Sequence, residues 1–188
     1  MINEDHCVYM KSSGSKFVIL TLYVDDILVA GKDVNEIKSW LSSNFEMKDM
    51  GEAAYILGIK ISRNRSSTLL SLSQENYINK VLERFHMKDC KPIDTPMAKN
   101  EILTKDMCPK TSEEIQRMEK VPSANVVGSL MYAMLCTRSD ICFAVRMVSS
   151  YQSSPREAHW KAVKRILRHL KGTVDYSLCY QRSNLTIR

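Results

Sequence analysis

Two adjacent carboxylates, Asp25 and Asp26, lie between two apolar runs within residues 17–31. Each run has the length and the β-branched content of a strand, so the segment predicts a β-hairpin with both carboxylates at or beside its turn. Ordinary hairpin turns favour Asn-Gly or Asp-Gly, which tolerate positive φ, whereas here the pair is followed by Ile27. The carboxylates are therefore predicted to serve chemistry, and holding a divalent metal ion is the usual role of such a pair on a rigid sheet.

Charge is divided unevenly along the 188 residues. Residues 1–60 carry six Lys and Arg against nine Asp and Glu, a net −3, whereas residues 61–188 carry 21 against 12, a net +9. A metal site joined to a polyanion-binding surface would have this distribution, and an unevenly charged solvated surface explains it equally well. With 44% hydrophobic residues the chain can bury the core of one domain or of two small subdomains.

The six cysteines form no Cys-x-x-Cys pair, and no histidine lies at zinc-ligand spacing from a cysteine pair. Without a signal peptide, free thiols in a reducing intracellular compartment are expected, with no choice between cytoplasm and nucleus. Residues 17–30 are too short to span a bilayer and carry two central carboxylates, so no membrane partner is expected.

Hydrophobic periodicity predicts an α+β chain that begins with an antiparallel sheet. The strand over residues 16–24 is almost continuously apolar, which predicts burial on both of its faces. A helix is predicted over 33–47, with Asp33 opening a capping box and Trp40 in the apolar stripe that packs on the sheet.

A second hairpin is predicted from a strand over 55–63 and another over 68–73, and Gly58 inside the first strand indicates a bulge or a close backbone approach. The remaining elements are a helix at 74–87, an irregular segment at 90–122 with a short helix at 112–120, helices at 123–136, 139–151 and from a Ser154 cap to Gly172, and a last strand at 174–181 that leaves the domain.

The last predicted helix has an apolar stripe and an opposite basic face. Such a face could follow the backbone of a nucleic-acid duplex, where each cation neutralises a phosphate. A solvated amphipathic helix explains the same pattern equally well. The basic face consists of Lys161, Lys164, Arg165, Arg168, His169 and Lys171.

The tetrapeptide Tyr23-Val24-Asp25-Asp26 between two apolar strands resembles the active-site signature of reverse transcriptases. Four further blocks, in the same order, resemble copia-type LTR-retrotransposon Pol polyproteins. They read MKDMGEAAYILGIKISR, LSQENYINKVLERFHMKDCKPIDTPM, VGSLMYA, and HWKAVKRILRHLKGT followed by Tyr-Ser-Leu-x-Tyr. The resemblance extends from about residue 6 to residue 180.

The resemblance implies an RNA-directed DNA polymerase in which Asp25 and Asp26 belong to the palm and help to hold two Mg²⁺ ions. These ions would activate the primer 3′-hydroxyl and stabilise the leaving pyrophosphate, with RNA template, DNA primer and deoxynucleotide triphosphates as partners. Since successive strand side chains point to opposite faces, Asp25 is ranked as the principal ligand and Asp26 as accessory. Tyr23 and Val24 would border the primer terminus and the nucleotide sugar, unless they only pack in the sheet.

By the same resemblance, the second hairpin is a primer grip with Leu57 and Gly58 closest to the primer end. The implied subdomains are a partial palm at 1–72, a thumb-like helix and proline-containing linker at 73–122, and a helical thumb and connection at 123–188. The rest of the Pol polyprotein, including a ribonuclease H domain, is an implied partner.

The family's third metal-binding aspartate and its fingers would precede Met1, so this chain alone is expected not to polymerise and to expose an aggregation-prone sheet edge. Ser139 stands where the family usually has Pro, and Ser123-Ala124 where it usually has Tyr-Arg. One alternative function is a non-catalytic nucleic-acid-binding remnant of a retrotransposon polyprotein. The other is a metal-binding or structural module unrelated to nucleic acid.

Overall fold

The computed structural model describes residues 5–14, 16–99, 103–104 and 111–181. They form two compact units, divided between Ala53 and Ala54. Each unit contains one antiparallel sheet and at least one helix, so the predicted α+β class is confirmed.

The first unit is a three-stranded sheet followed by a helix, with the strands paired in sequence order. A Cβ on Gly31, where φ is +156°, would lie 2.4 Å from the carbonyl oxygen of Phe17, so the end of the third strand requires glycine. The elements are β1 (Val8–Ser13), β2 (Lys16–Tyr23), β3 (Asp26–Gly31) and α1 (Val34–Asn44).

Burial in the first unit is lower than predicted. No side chain of residues 5–14 and 16–53 is buried, so the expectation that β2 is covered on both faces is wrong. Trp40, predicted to lie in the core, is 59% exposed and touches the ring of Phe45 edge-on. The physical reason is size, because three strands and one helix have too little apolar surface to enclose a core.

Asp33 precedes α1, but its side chain makes no capping hydrogen bond, so the predicted capping box is wrong. Its carboxylate instead accepts a 2.7 Å hydrogen bond from Lys16 Nζ. The ammonium group therefore competes successfully with the helix amides for this acceptor, and it ties the start of β2 to the start of α1.

The second unit contains a four-stranded antiparallel sheet in the order β4-β5-β6-β7. The last strand pairs with β6, Ser73 opposite Ser177, so the prediction that it leaves the domain is wrong. Pairing satisfies backbone groups of β6 that would otherwise form an open sheet edge. The strands are β4 (Tyr55–Ile56), β5 (Ile59–Asn64), β6 (Leu69–Ser73) and β7 (Ser177–Gln181).

The strand predicted over 55–63 is divided in two by a turn at Leu57 and Gly58. Their φ angles are +49° and +79°, the signs that type I′ hairpin turns require at both central residues. Gly58 therefore forms a tight turn, and the predicted bulge within a continuous strand is wrong.

Five helices complete the second unit and enclose its core, close to their predicted bounds. Every buried apolar side chain in the described ranges lies in this unit, including Ile78, Leu130 and Ile166. The five cysteines that the structure describes are free thiols. The helices are α2 (Glu75–Arg84), α3 (Ser112–Glu119), α4 (Ser123–Cys136), α5 (Cys142–Ser149, after a 3₁₀ turn at Ser139–Ile141) and α6 (Glu157–Gly172).

A buried guanidinium joins the ends of these helices. Arg138 is 1% exposed and donates to both carboxylate oxygens of Asp140 at 2.7 and 2.9 Å. It also donates to the Thr173 carbonyl at 2.9 Å and to the Thr173 hydroxyl, while His169 Nε2 lies 3.0 Å from Asp140. Burial raises the pKa of Asp140, but hydrogen bonds from Arg138 and His169 outweigh burial and hold that pKa below 3.8.

The cap of α6 differs from the prediction. Arg156, and not Ser154, is the residue at the helix start, and its backbone N–H donates to His159 Nδ1 at 3.1 Å. The His159 ring is buried and stacks on Tyr151 with centroids 4.4 Å apart. A histidine thus occupies the capping-box position that glutamate or glutamine usually fills. Burial, followed by the positive charge of Arg156, lowers the pKa of His159 below 6.5.

We expect Arg138→Met to lower the free energy of unfolding by about 3 kcal/mol, because it removes two hydrogen bonds to Asp140 and one to the Thr173 carbonyl. Urea unfolding measures this change. Lys161→Met is the matched control, since it breaks an exposed pair with Glu157 and should change stability much less. Equal losses in the two variants would contradict a central role for Arg138.

Acidification should destabilise the chain through His159. As pH falls below about 6.5, this histidine takes up a proton in the unfolded chain before it does in the folded chain. Its contribution to the free energy of unfolding is therefore complete above pH 6.5 and decreases below it. His159→Gln retains an acceptor for the Arg156 N–H but does not titrate, and should flatten the dependence of urea midpoint on pH between 6.5 and 5. The same slope in both proteins would refute this assignment.

Candidate functional site

The predicted Asp25–Asp26 hairpin is present at the tip of β2 and β3. Tyr23 pairs with Asp26, which leaves Val24 and Asp25 as the two turn residues. Val24 has a φ of +52°, an unfavourable conformation for a β-branched residue, and its side chain is 87% exposed. Strained backbone of this kind is concentrated at functional sites.

Both carboxylates of the pair are exposed, and within the described part of the chain neither has a hydrogen-bond or ion-pair partner. The two carboxylates belong to different local elements, since Asp25 lies in the turn and Asp26 begins β3. Carboxylate oxygens suit Mg²⁺, so the donor chemistry fits the predicted metal. However, the described ranges contain no group of three or more His, Cys, Asp or Glu side chains that could hold a metal ion. Two carboxylates supply only part of the ligand set that a Mg²⁺ ion needs, so their role as metal ligands stays a prediction.

Tyr23 is also open to solvent, with 55% of its surface exposed at the end of β2. Packing inside the sheet therefore does not explain why Tyr23 and Val24 stand at these positions. Their placement beside a primer terminus and a nucleotide sugar stays a prediction.

The Leu57–Gly58 turn is supported by residues that sequence reasoning missed. Tyr132 of α4 donates its hydroxyl to the Leu57 carbonyl, and Asn76 of α2 donates to the Tyr55 hydroxyl at 3.5 Å. Tyr132 lies within the VGSLMYA block, so the only sequence signal for it was membership in that block. The role of Leu57 and Gly58 near a primer end stays a prediction.

The predicted basic face of α6 is partly used inside the protein. Arg168 Nε donates to the Lys91 carbonyl at 2.7 Å, and Arg165 Nη2 donates to the Thr95 hydroxyl at 2.9 Å. These bonds hold residues 91–95, here termed the strap, against α6. His169 is buried beside Asp140, so its inclusion in a solvent-facing basic surface is wrong.

The three lysines of this face differ in their surroundings. Lys161 pairs with Glu157 at 2.9 Å, Lys164 lies over the Trp160 ring at 5.9 Å from its centroid, and Lys171 is half-buried. An exposed ion pair between lysine and glutamate is weak, so the lysine can exchange the carboxylate for a phosphate. Binding of nucleic acid by this face stays a prediction.

Residues 1–99 match the family model described as reverse transcriptase (RNA-dependent DNA polymerase). The match includes both the hairpin tip and the Leu57–Gly58 turn. The chain belongs to the reverse-transcriptase family, and its similarity to copia-type Pol polyproteins confirms the more specific resemblance.

Three relatives define that similarity. The chain is 53% identical over 185 residues to the retrovirus-related Pol polyprotein from transposon TNT 1-94 of Nicotiana tabacum, covering 96% of this chain and 14% of the polyprotein. It is 36% identical over 184 residues to the Pol polyprotein from transposon RE1 of Arabidopsis thaliana, covering 96% and 12%. An uncharacterized mitochondrial protein of Arabidopsis thaliana is 37% identical over 175 residues, covering 90% and 68%.

The chain therefore spans a small fraction of each of these two polyproteins. No solved structure gives a significant match. Among the helices that the structure describes, none has the length and apolar character needed to cross a membrane.

Leu57→Asn should stabilise the chain by about 0.5 kcal/mol, because asparagine adopts positive φ more readily than leucine and Asn-Gly is the preferred type I′ pair. Chemical denaturation measures the change. Leu135→Asn is the matched control, since Leu135 is an exposed leucine in helix α4 and the same replacement there lowers helix propensity. Destabilisation by Leu57→Asn as large as that of the control would contradict the strain at this turn.

Proposed function

We propose that this chain is part of an RNA-directed DNA polymerase and supplies two of the carboxylates that hold its metal ions. The observation that supports this function best is the hairpin tip, where Asp25 and Asp26 are exposed and have no side-chain partner among the described residues, inside the segment that matches the family. A solvated loop has no need for a strained Val24 followed by two aspartates.

Asp25 is the principal ligand in this proposal, and Asp26 is accessory. Reverse transcriptases generally use divalent metal ions, and two bound Mg²⁺ ions supply charge neutralisation at the attacking and leaving oxygens of nucleotidyl transfer. The antiparallel ladder from β1 to β3 places both carboxylates at one end of the sheet. Tyr23 and Val24 border the primer terminus and the sugar of the incoming nucleotide.

The nucleic acid in the proposal is an RNA template paired with a DNA primer. Leu57 and Gly58 contact the primer end, and Lys161, Lys164 and Lys171 neutralise phosphates of the duplex. Arg165 and Arg168 contribute less than the sequence suggests, because their side chains already bind the strap. Deoxynucleotide triphosphates and other segments of a Pol polyprotein are the remaining partners.

The metal site is incomplete in the proposal, since the described residues place no third carboxylate, histidine or cysteine beside the pair. Two-metal transfer needs ligands that clamp both ions, so further protein ligands must join Asp25 and Asp26. We therefore propose that the isolated chain does not extend a primer.

A non-catalytic nucleic-acid-binding remnant is the second candidate. The lysines of α6 support it, because they provide positive charge along one helix without any requirement for metal. The two candidates differ in whether Asp25 matters for DNA synthesis.

The test uses a chimera in which the matching segment of the tobacco polyprotein is replaced by this chain. Asp25→Asn should reduce Mg²⁺-dependent primer extension on an RNA template by at least about 100-fold, because even outer-shell partners of metal ligands contribute 10–100-fold. The unaltered tobacco polyprotein is the positive control.

Asp33→Asn is the matched control, since Asp33 belongs to the same unit but pairs with Lys16 at the surface. It should leave extension unchanged. Full activity of the Asp25→Asn chimera would overturn the proposed function, and Asp25-dependent extension by the isolated chain would overturn the proposed incompleteness of the site.

A further inference from the structure

The Leu57–Gly58 turn has a backbone geometry that its first residue does not favour. Leu57 adopts a φ of +49°, where the side chain of an L-residue is crowded, and it is 42% exposed. No buried leucine pocket therefore fixes the turn. Contacts made by its backbone must account for its position.

The principal contact comes from Tyr132, which is 75 residues farther along the chain. Its hydroxyl donates a hydrogen bond to the carbonyl oxygen of Leu57. Since that carbonyl belongs to a central residue of the turn, the bond restrains the peptide plane between Leu57 and Gly58. The turn is thereby tied to helix α4.

Tyr132 is itself held in place by a second tyrosine. The rings of Tyr77 and Tyr132 meet edge to face, with centroids 4.8 Å apart and an interplanar angle of 71°. Tyr77 of α2 donates its hydroxyl to the Ser129 carbonyl of α4 at 3.0 Å, and burial raises its pKa. The orientation of the Tyr132 ring is therefore set by two packed helices.

A weaker contact acts on the other side of the hairpin. Asn76, also on α2, donates to the Tyr55 hydroxyl at 3.5 Å, which is a long hydrogen bond. The bond of Tyr132 acts directly on the Leu57–Gly58 turn, whereas that of Asn76 acts on the strand before it.

We propose that Tyr132 is a positioning residue for DNA synthesis, whose hydroxyl holds the Leu57–Gly58 turn so that the primer 3′-end is aligned for nucleotide addition. This inference rests on the proposed function, which places Leu57 and Gly58 at the primer end. Displacement of a reacting group by about 1 Å can cost about 100-fold in rate. Loss of the hydroxyl should therefore slow the chemical step and leave duplex affinity nearly unchanged.

The experiment measures single-nucleotide addition by the tobacco chimera under pre-steady-state conditions. Tyr132→Phe removes the bond to Leu57 and retains the ring contact with Tyr77. Tyr77→Phe is the matched control, because it removes a hydroxyl bond between α2 and α4 and leaves the turn bond intact. We expect Tyr132→Phe to lower the rate constant of addition about 10-fold, with duplex Kd within about twofold of the control.

If Tyr132 only stabilised the fold, Tyr132→Phe would reduce the amplitude of the burst, because the amplitude counts folded enzyme. The rate constant of the burst would not change. Equal rate constants for Tyr132→Phe and Tyr77→Phe would overturn the proposal. A loss confined to amplitude would overturn it as well.

A second measurement uses the 188-residue chain itself and needs no catalysis. The three-bond coupling between the amide and α protons of Leu57 reports its φ angle in NMR spectra. Tyr132→Phe should change this coupling, whereas Tyr77→Phe should not; an unchanged coupling would overturn the restraint. If Asp25→Asn leaves the chimera active, the proposed function fails separately, and the coupling still reports whether Tyr132 holds the turn.

Discussion

Arg138 is the residue on which the second unit depends, because a fully buried guanidinium is tolerated only when its donors are satisfied. Asp140 and Thr173 satisfy them, which fixes the end of α4 relative to the end of α6. Tyr176 lies near the guanidinium, 5.4 Å from ring centroid to Cζ, just before β7 begins. The same group therefore helps to direct the final strand back to β6, and that strand covers what would otherwise be a sheet edge.

The two regions with proposed roles are each supported in a different way within their own unit. The Leu57–Gly58 turn is bonded to α4, which contributes Val126, Val127 and Leu130 to the core. The Asp25–Asp26 tip belongs to a unit without buried side chains among residues 5–14 and 16–53, and pairing between β2 and β3 supports it. The proposed primer contact is thus supported by helix packing, whereas the proposed metal ligands are supported by strand pairing within a small sheet.

Sequence patterns predicted the elements well where local rules decide them. The 3.6-residue periodicity located α4 at its observed bounds. Errors occurred where a distant group competes with a local one. Asp33 binds Lys16 and does not cap its helix, and Trp40 has no second layer to pack against. The turn at Leu57 was missed because leucine is a poor residue for positive φ, so Gly58 alone was interpreted as a bulge or a close backbone approach.

By itself, the sequence determined the family, the hairpin with its two carboxylates and the α+β class, since each follows from residues that are close together along the chain. Only the tertiary structure decided which polar groups already have hydrogen-bond partners within the protein. Arg165 and Arg168 bind the strap, Tyr132 binds Leu57, and β7 returns to β6. These contacts join residues far apart in sequence, and packing of the whole unit selects among the many partners that local spacing allows.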